Sequence, residues 1–203
     1  MRKLGILLFM FGTALVAWNG YSWWSQGQSV THQPAELKKS HPGWNVKNAQ
    51  EPFRDTDNNI LMKSQHSTGD EVGTLEIPRL GTKYPVFWGS DEDTLKQGVG
   101  MYDSKWTVTP GNKGHLVLSG HRDTVFKNLD ILDSGDHLYV TYNGKTYDYQ
   151  IRKTWITDKE DRSVIVTKTT PVMTLTTCYP FTYIGDAPDR YIIQAELVNV
   201  KEV

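Results

Sequence analysis

The chain has one cysteine, Cys178, in 203 residues. That scarcity excludes an intramolecular disulfide framework and any zinc site built on several thiolates. It leaves a buried inert thiol, an accidental free thiol or a reactive one. Neither sign of charge is in surplus, with 22 Lys and Arg against 23 Asp and Glu. No basic face therefore calls for nucleic acid, and no acidic excess marks a solvating tail. No internal repeat or low-complexity tract stands out. The length gives room for one ordinary domain plus an appendage and hardly for two domains.

Charge is missing altogether between Leu4 and Ala35. The apolar part, taken to Trp24, is about 21 residues, or roughly 31 Å as a helix, enough to cross a bilayer core. Trp18, Tyr21, Trp23 and Trp24 cluster at its far end, where amphipathic rings favour the membrane–water interface. Arg2 and Lys3 precede the span and the next basic residue is Lys38. Positive-inside logic predicts Met1 in the cytoplasm and the rest of the chain outside. A cleaved signal peptide is the competing reading, but an A-x-A site fits poorly: Leu15 stands two before Ala17, and a cut at Ala14 splits the apolar run. The expected division is an anchor over 1–24, a polar spacer over 25–71 with one helical turn at 35–39, and a catalytic domain over 72–203. The scattered Gln, Ser, Asn, His and Lys of the spacer show no period of 2 or 3.6, and a flexible tether is expected.

From Gly73 the texture changes to short β-rich runs between turn signals, the pattern of an all-β barrel or sandwich. Strands are predicted at 73–77, 84–88, 99–103, 115–119, 137–142, 145–155, 171–178 and 191–200. Asn143-Gly144 is a strong hairpin signal. Ser90-Asp91-Glu92-Asp93 offers a capping box for a short helix ending near Gly98. Eight strands are enough to close a small barrel.

Cys178 ends the strand Thr174-Leu175-Thr176-Thr177-Cys178, which predicts a thiol at the barrel rim. A nucleophilic thiol needs access and a partner that favours thiolate; a buried packing thiol is the plain alternative. Among six histidines, His32, His41 and His66 fall in the spacer and are expected to be solvated. His115 and His137 open strands and read as structural or surface groups. His121 follows Leu116-Val117-Leu118-Ser119-Gly120, where a buried strand meets glycine, and is predicted to reach the same rim as Cys178. Arg190 closes the loop after Cys178. It reads either as a surface cation paired with Asp186 or Asp189, or as a fixed donor to a carbonyl or oxyanion. A zinc site from His115, His121 and Cys178 lacks the usual paired spacing.

Taken together these residues resemble the sortases, cysteine transpeptidases of Gram-positive bacteria. Thr174 to Cys178 fits the family's Thr-Leu-x-Thr-Cys motif, His121 within Ser119-Gly120-His121-Arg122 fits its histidine motif, and Arg190 falls in the place of its arginine. The stretches 178–191 and 120–126 are similar to class D sortases of bacilli. The resemblance covers about residues 72–203 and implies an eight-stranded sortase-like β-barrel with short helices. It implies catalytic Cys178, His121 and Arg190, with Thr177 and Tyr179 binding substrate. It also implies cleavage after Thr in a Leu-Pro-x-Thr-Gly or Leu-Pro-x-Thr-Ala signal of surface proteins, then transfer to an amine of a lipid II-type peptidoglycan precursor.

No third carboxylate in these motifs holds the histidine as imidazolium. A free thiol and a free imidazole have reference values of about 8.5 and about 6.5, so such a pair is mostly neutral at pH 7 and slow turnover is expected. No cofactor and no metal are expected. The loop 102–114 offers Asp103 and Asn112 but also Lys105 and Lys113, a poor cage for calcium; Asp158, Glu160 and Asp161 in the later loop read as a solvated face. Two rivals remain at this point. L,D-transpeptidases also use Cys and His at the wall, but their cysteine follows Gly where Thr177 stands. An anchored β-barrel adhesin with an inert thiol needs no chemistry at all.

Overall fold

The computed structural model describes residues 2–53, 66–182, 185 and 187–203. Helix α1, Arg2–Gly27, has no buried residue along its length and is long and apolar enough to cross a membrane. Strand β1, Thr31–His32, helix α2, Pro34–Ser40, and strands β2, Glu71–Ile77, and β3, Thr82–Trp88, follow. Helix α3, Glu92–Gln97, and strands β4, Val99–Met101, and β5, His115–Ser119, complete the first half. Then come a single 3-10 turn, Leu129–Ile131, and strands β6, His137–Tyr142, β7, Lys145–Asp158, β8, Val172–Tyr179, and β9, Asp189–Glu202.

The sheet runs β1-β3-β2-β6-β7-β9-β8-β5-β4, and β3 also pairs with β4. That last pairing closes β2 to β9 into an eight-stranded barrel, with β1 attached to the outside of β3. Closure removes free edges that would otherwise template aggregation. Alternation sets the two faces. Leu116 and Leu118 of β5, Met173 and Leu175 of β8, and Ile193 and Ala195 of β9 fill the interior. Their neighbours in sequence therefore point outward. Asn143 and Gly144 both hold positive φ, 48° and 75°, as the two-residue turn between β6 and β7 requires. At α3 the cap lies one residue later than the box suggests: the Asp91 carboxylate, rather than Ser90, accepts from the amides of Asp93 and Thr94.

The polar segment after α1 does not hang free over residues 31–53, contrary to the tether expected from its composition. β1 pairs with β3, and α2 lays Leu37, 3% exposed, against the barrel. Burying that side chain contributes about 1.5–3 kcal/mol. His41, expected in solvent, stacks on Tyr139 at 3.7 Å between ring centres and bonds Glu76 at 2.6 Å. The carbonyl of Val46 accepts from the Gln150 amide at 3.1 Å, Arg152 donates to the Gln50 carbonyl at 2.6 Å, and the Phe53 amide donates to Leu197 at 2.8 Å. His66 also leaves solvent, sitting 5.4 Å from Trp88. Side-chain anchors spaced along a polar strand leave no hydrophobic period, which is why composition alone reads as a tether. The remaining spacer positions, 54–65, lie outside the described residues.

Candidate active site

β8 carries Cys178 one residue before its end, and antiparallel β9 places Arg190 directly opposite. Direct partners on adjacent strands share a face, with Cβ atoms about 4.5–5.5 Å apart. Because Leu175 and Met173 point inward, Cys178 belongs to the outer face of the barrel wall, near the end of its strand. On the other side of β8 lies parallel β5, with Ser119 beside Thr176. His121 follows two residues later. Its loop is tied to β8 twice: the Gly120 amide donates to the Thr176 carbonyl at 3.3 Å, and the Thr177 hydroxyl donates to the Gly120 carbonyl at 2.7 Å.

The turn after Gly120 is closed by the Val125 and Phe126 amides, both donating to the His121 carbonyl, at 3.1 and 2.7 Å. Phe126 packs so close that a Cβ on Gly120 would meet its ring at 2.8 Å. Glycine is therefore required there by proximity. Arg122 reaches across to donate to the Gly185 carbonyl at 2.9 Å, joining this loop to the one between Cys178 and Arg190.

Cys178, His121 and Arg190 line one cleft of about 450 Å³. Its floor is Thr176 and Ile192, and its far wall is the loop after β7, through Asp161, Val164 and Ile165. That wall is self-supporting. Asp161 accepts from the Thr157 hydroxyl and from the amide and hydroxyl of Ser163, at 2.9 and 2.6 Å for Ser163. These bonds, first those of Ser163 and then that of Thr157, hold its carboxyl below the usual range. Arg190 donates from Nη1 to the carbonyls of Ala187 at 3.2 Å and Asp189 at 3.0 Å, so main chain fixes one side of its fork. The other ion-pair partner considered, Asp186, lies outside the described residues, as do Tyr183 and Ile184. A thiol, an imidazole and a guanidinium around one cleft are groups that can act as nucleophile, proton carrier and oxyanion donor.

Thr177 is 3% exposed and spends its hydroxyl on the His121 loop. Tyr179, the other expected substrate contact, does not line the cleft; it packs with Phe181 and Tyr191, at 5.8 and 6.3 Å between ring centres. His115 lies at the opposite end of β5, in register with Val172, six residues or about 20 Å from Cys178 along β8. Its Nδ1–H donates to the Val166 carbonyl at 2.9 Å, and Nε2 accepts from the Thr174 hydroxyl at 2.7 Å. Burial holds its imidazolium below the usual range, with the Val166 bond opposing. That histidine pins the loop after β7 to the barrel and takes no part in a zinc site with His121 and Cys178. Among the described residues no three His, Cys, Asp or Glu side chains converge as a metal site. The sequence singles out the loop 157–170 as shaping substrate choice and Phe126 within the stretch 120–126, but not that Val164 and Ile165 wall the cleft or that Phe126 packs on Gly120.

Comparison with known proteins agrees with this geometry. The model of the sortase domain matches residues 75–198. Sortase D of Bacillus subtilis (strain 168) is 44% identical over 133 residues, 65% of this chain and 66% of that protein. The chain thus aligns with a little under two thirds of that relative's length. The catalytic domain of B. anthracis SrtD is similar at 53% identity and a TM-score of 0.61, covering 70% of this chain and 96% of that one. Sortase A of Listeria monocytogenes is similar at 26% identity and a TM-score of 0.59, over 66% and 90% of the two chains. The domain match takes in β2 to β9 with Cys178, His121 and Arg190, which sets aside both the L,D-transpeptidases and an unrelated adhesin barrel: the chain belongs to the sortase family.

Proposed function

We propose that the chain is a cysteine transpeptidase that cleaves a Leu-Pro-x-Thr-Gly or Leu-Pro-x-Thr-Ala sorting signal after Thr. The Cys178 sulfur attacks the threonine carbonyl, forming a C–S bond, and the C–N bond to the next residue breaks. His121 gives a proton to the departing amine and later takes one from the incoming amine of a cell-wall precursor. That amine displaces the thiolate and closes the new amide. Arg190 donates to the carbonyl oxygen as it becomes an oxyanion, a contact stronger in the transition state than in the ground state. Splitting the transfer through a thioester replaces one hard step with two easier ones. Helix α1 anchors the enzyme in the membrane with Met1 in the cytoplasm and the barrel outside, in keeping with Arg2 and Lys3 before the span.

The observation that carries this reading is the Cys178–Arg190 cross-strand pair, with His121 lining the same cleft. The test is incubation of the full chain with Leu-Pro-x-Thr-Gly and Leu-Pro-x-Thr-Ala peptides, followed by mass spectrometry. Cleavage after Thr with a thioacyl adduct on Cys178, absent in Cys178→Ala, is expected. An unmodified Cys178 with both peptides intact would sink the proposal.

A further inference from the structure

The end of α1 and the loop that carries His121 meet at one corner of the molecule. Trp24 closes the aromatic cluster that marks the outer interface, and Gly27 ends α1 three residues beyond it, about 4.5 Å further along the helix axis. Only residues 28–30 separate Gly27 from β1, which is paired with β3, so the barrel edge lies within about 14 Å of the helix end. A spacer of that length cannot lift the domain away from the bilayer. The side of α1 turned to the barrel is Ser22, Gln26 and Gly27, all partly shielded, while Trp23 stays exposed.

Two observations locate the surface that this short connection turns to the lipid. Lys127, six residues after His121 and exposed, sits over the Trp23 ring at 5.4 Å. Beside it a cleft of about 380 Å³ opens between the helix end and the His121 loop, lined by Gly27, Arg79, Thr124, Lys127 and Ile131 among others. Ile131 is 55% exposed at its edge, and the buried hydroxyl of Thr124 has no hydrogen-bond partner among the described residues. A cation, an interfacial tryptophan and an exposed aliphatic side chain around a polar cleft match the layering of a bilayer surface, phosphates above acyl chains. The long axis agrees. Arg190 and Glu202 are twelve residues apart on β9, about 40 Å. Cys178 and Arg190 share the end of the barrel from which the His121 loop leaves, and Glu202 stands at the other, beside the β6–β7 turn.

We infer that the barrel rests on the membrane through the corner formed by Trp23, Lys127 and Ile131, with headgroup phosphates held at Lys127. The loop carrying His121 is thereby seated at the lipid surface and the active-site end faces the bilayer. The inference depends on α1 being an uncleaved anchor, and adds to it a fixed height and orientation for the cleft. Such a placement suits the lipid-borne acceptor, whose amine need not rise far from the bilayer to meet Cys178.

The test uses the full chain in vesicles of phosphatidylcholine and phosphatidylglycerol. Cys178→Ala removes the native thiol, and a nitroxide is attached in turn to Leu8→Cys, Ile131→Cys and Glu202→Cys. The expected result is a label at Leu8 in the hydrocarbon, a label at Ile131 shielded several-fold from a water-soluble relaxation agent, and a label at Glu202 fully open to it. Adding Lys127→Glu, on the exposed surface, should return the Ile131 label to water while leaving the Leu8 label in place. Equal water access at Ile131 and Glu202, with Leu8 still in the hydrocarbon, overturns the docking and spares the anchor. A Leu8 label in water overturns the anchor and the docking with it.

Discussion

Cys178 and Arg190 are direct partners across β8 and β9, so the thiol and the guanidinium emerge from the same face of one rigid sheet. No loop has to close to bring them together, and the Ala187 and Asp189 carbonyls fix part of the arginine fork. Arg190→Ala should lower kcat/KM for peptide cleavage by about 10²–10³, the scale of losing one oxyanion donor. Arg190→Lys should recover only part of that, because an ammonium has no planar fork. Alkylation of Cys178 by a small thiol reagent should stay within a few-fold of the parent in both variants. Parent-like cleavage by Arg190→Ala would remove the arginine from the mechanism.

The bond from Thr177 to the Gly120 carbonyl makes a second prediction. Both atoms are enclosed, so Thr177→Val keeps the shape but leaves a buried carbonyl unsatisfied. A cost of about 1–3 kcal/mol in stability is expected from thermal or urea unfolding. Since Gly120 precedes His121, kcat should fall more than KM rises. Thr177→Ser retains the hydroxyl and should restore most of both. Equal activity in the Val and Ser variants would mean that the tie does not position His121.

Calcium should leave turnover unchanged. The carboxylates nearest the cleft are already used within their own loop: Asp161 is held by Thr157 and Ser163, and Asp158 accepts from the Glu160 amide at 2.7 Å. Two such carboxylates supply few of the oxygens that a calcium ion needs. Peptide cleavage measured with a chelator and then with millimolar calcium checks this, and a large activation by calcium would contradict it.

The barrel was legible in the sequence because its strands alternate. The spans 115–119 and 137–142 were read to the residue, and Asn143-Gly144 does make the turn. Boundaries drifted where pairing, not pattern, decides: β7 and β9 run on to Asp158 and from Asp189 because each supplies the other's partners. Cys178, His121 and Arg190, singled out by their motifs, line one cleft. What stayed hidden was contact between distant polar residues. His41 finds Glu76, Gln150 finds Val46, and His115 finds Val166 through hydrogen bonds, which leave no periodic trace along the chain.

Contacts of this kind at His41 and at Val46 give the strap over residues 31–53 two pH dependences of opposite sign. The His41 hydrogen bond is the main influence that holds the Glu76 carboxyl below its ordinary value of 4.5; Lys83 adds to it and burial opposes. A lowered carboxyl contributes stability that is present above about 4.5 and is lost as pH falls through the folded value. For His137, burial pulls the imidazolium down, but the Asp148 carboxylate at 2.7 Å outweighs it, with the Val46 carbonyl helping, and holds it above the ordinary 6.5. That contribution is complete below about 6.5 and fades as pH rises through the folded value. The strap is therefore most secure between about 4.5 and about 6.5. The difference in Tm between parent and Glu76→Gln should be present above that window's lower edge and shrink toward acid. The difference between parent and His137→Gln should be largest at the acid side and shrink toward alkali. Taking differences cancels the acid loss caused by His115, whose pull is the same in every variant. Two differences that stay flat with pH would show that the strap is held by packing alone.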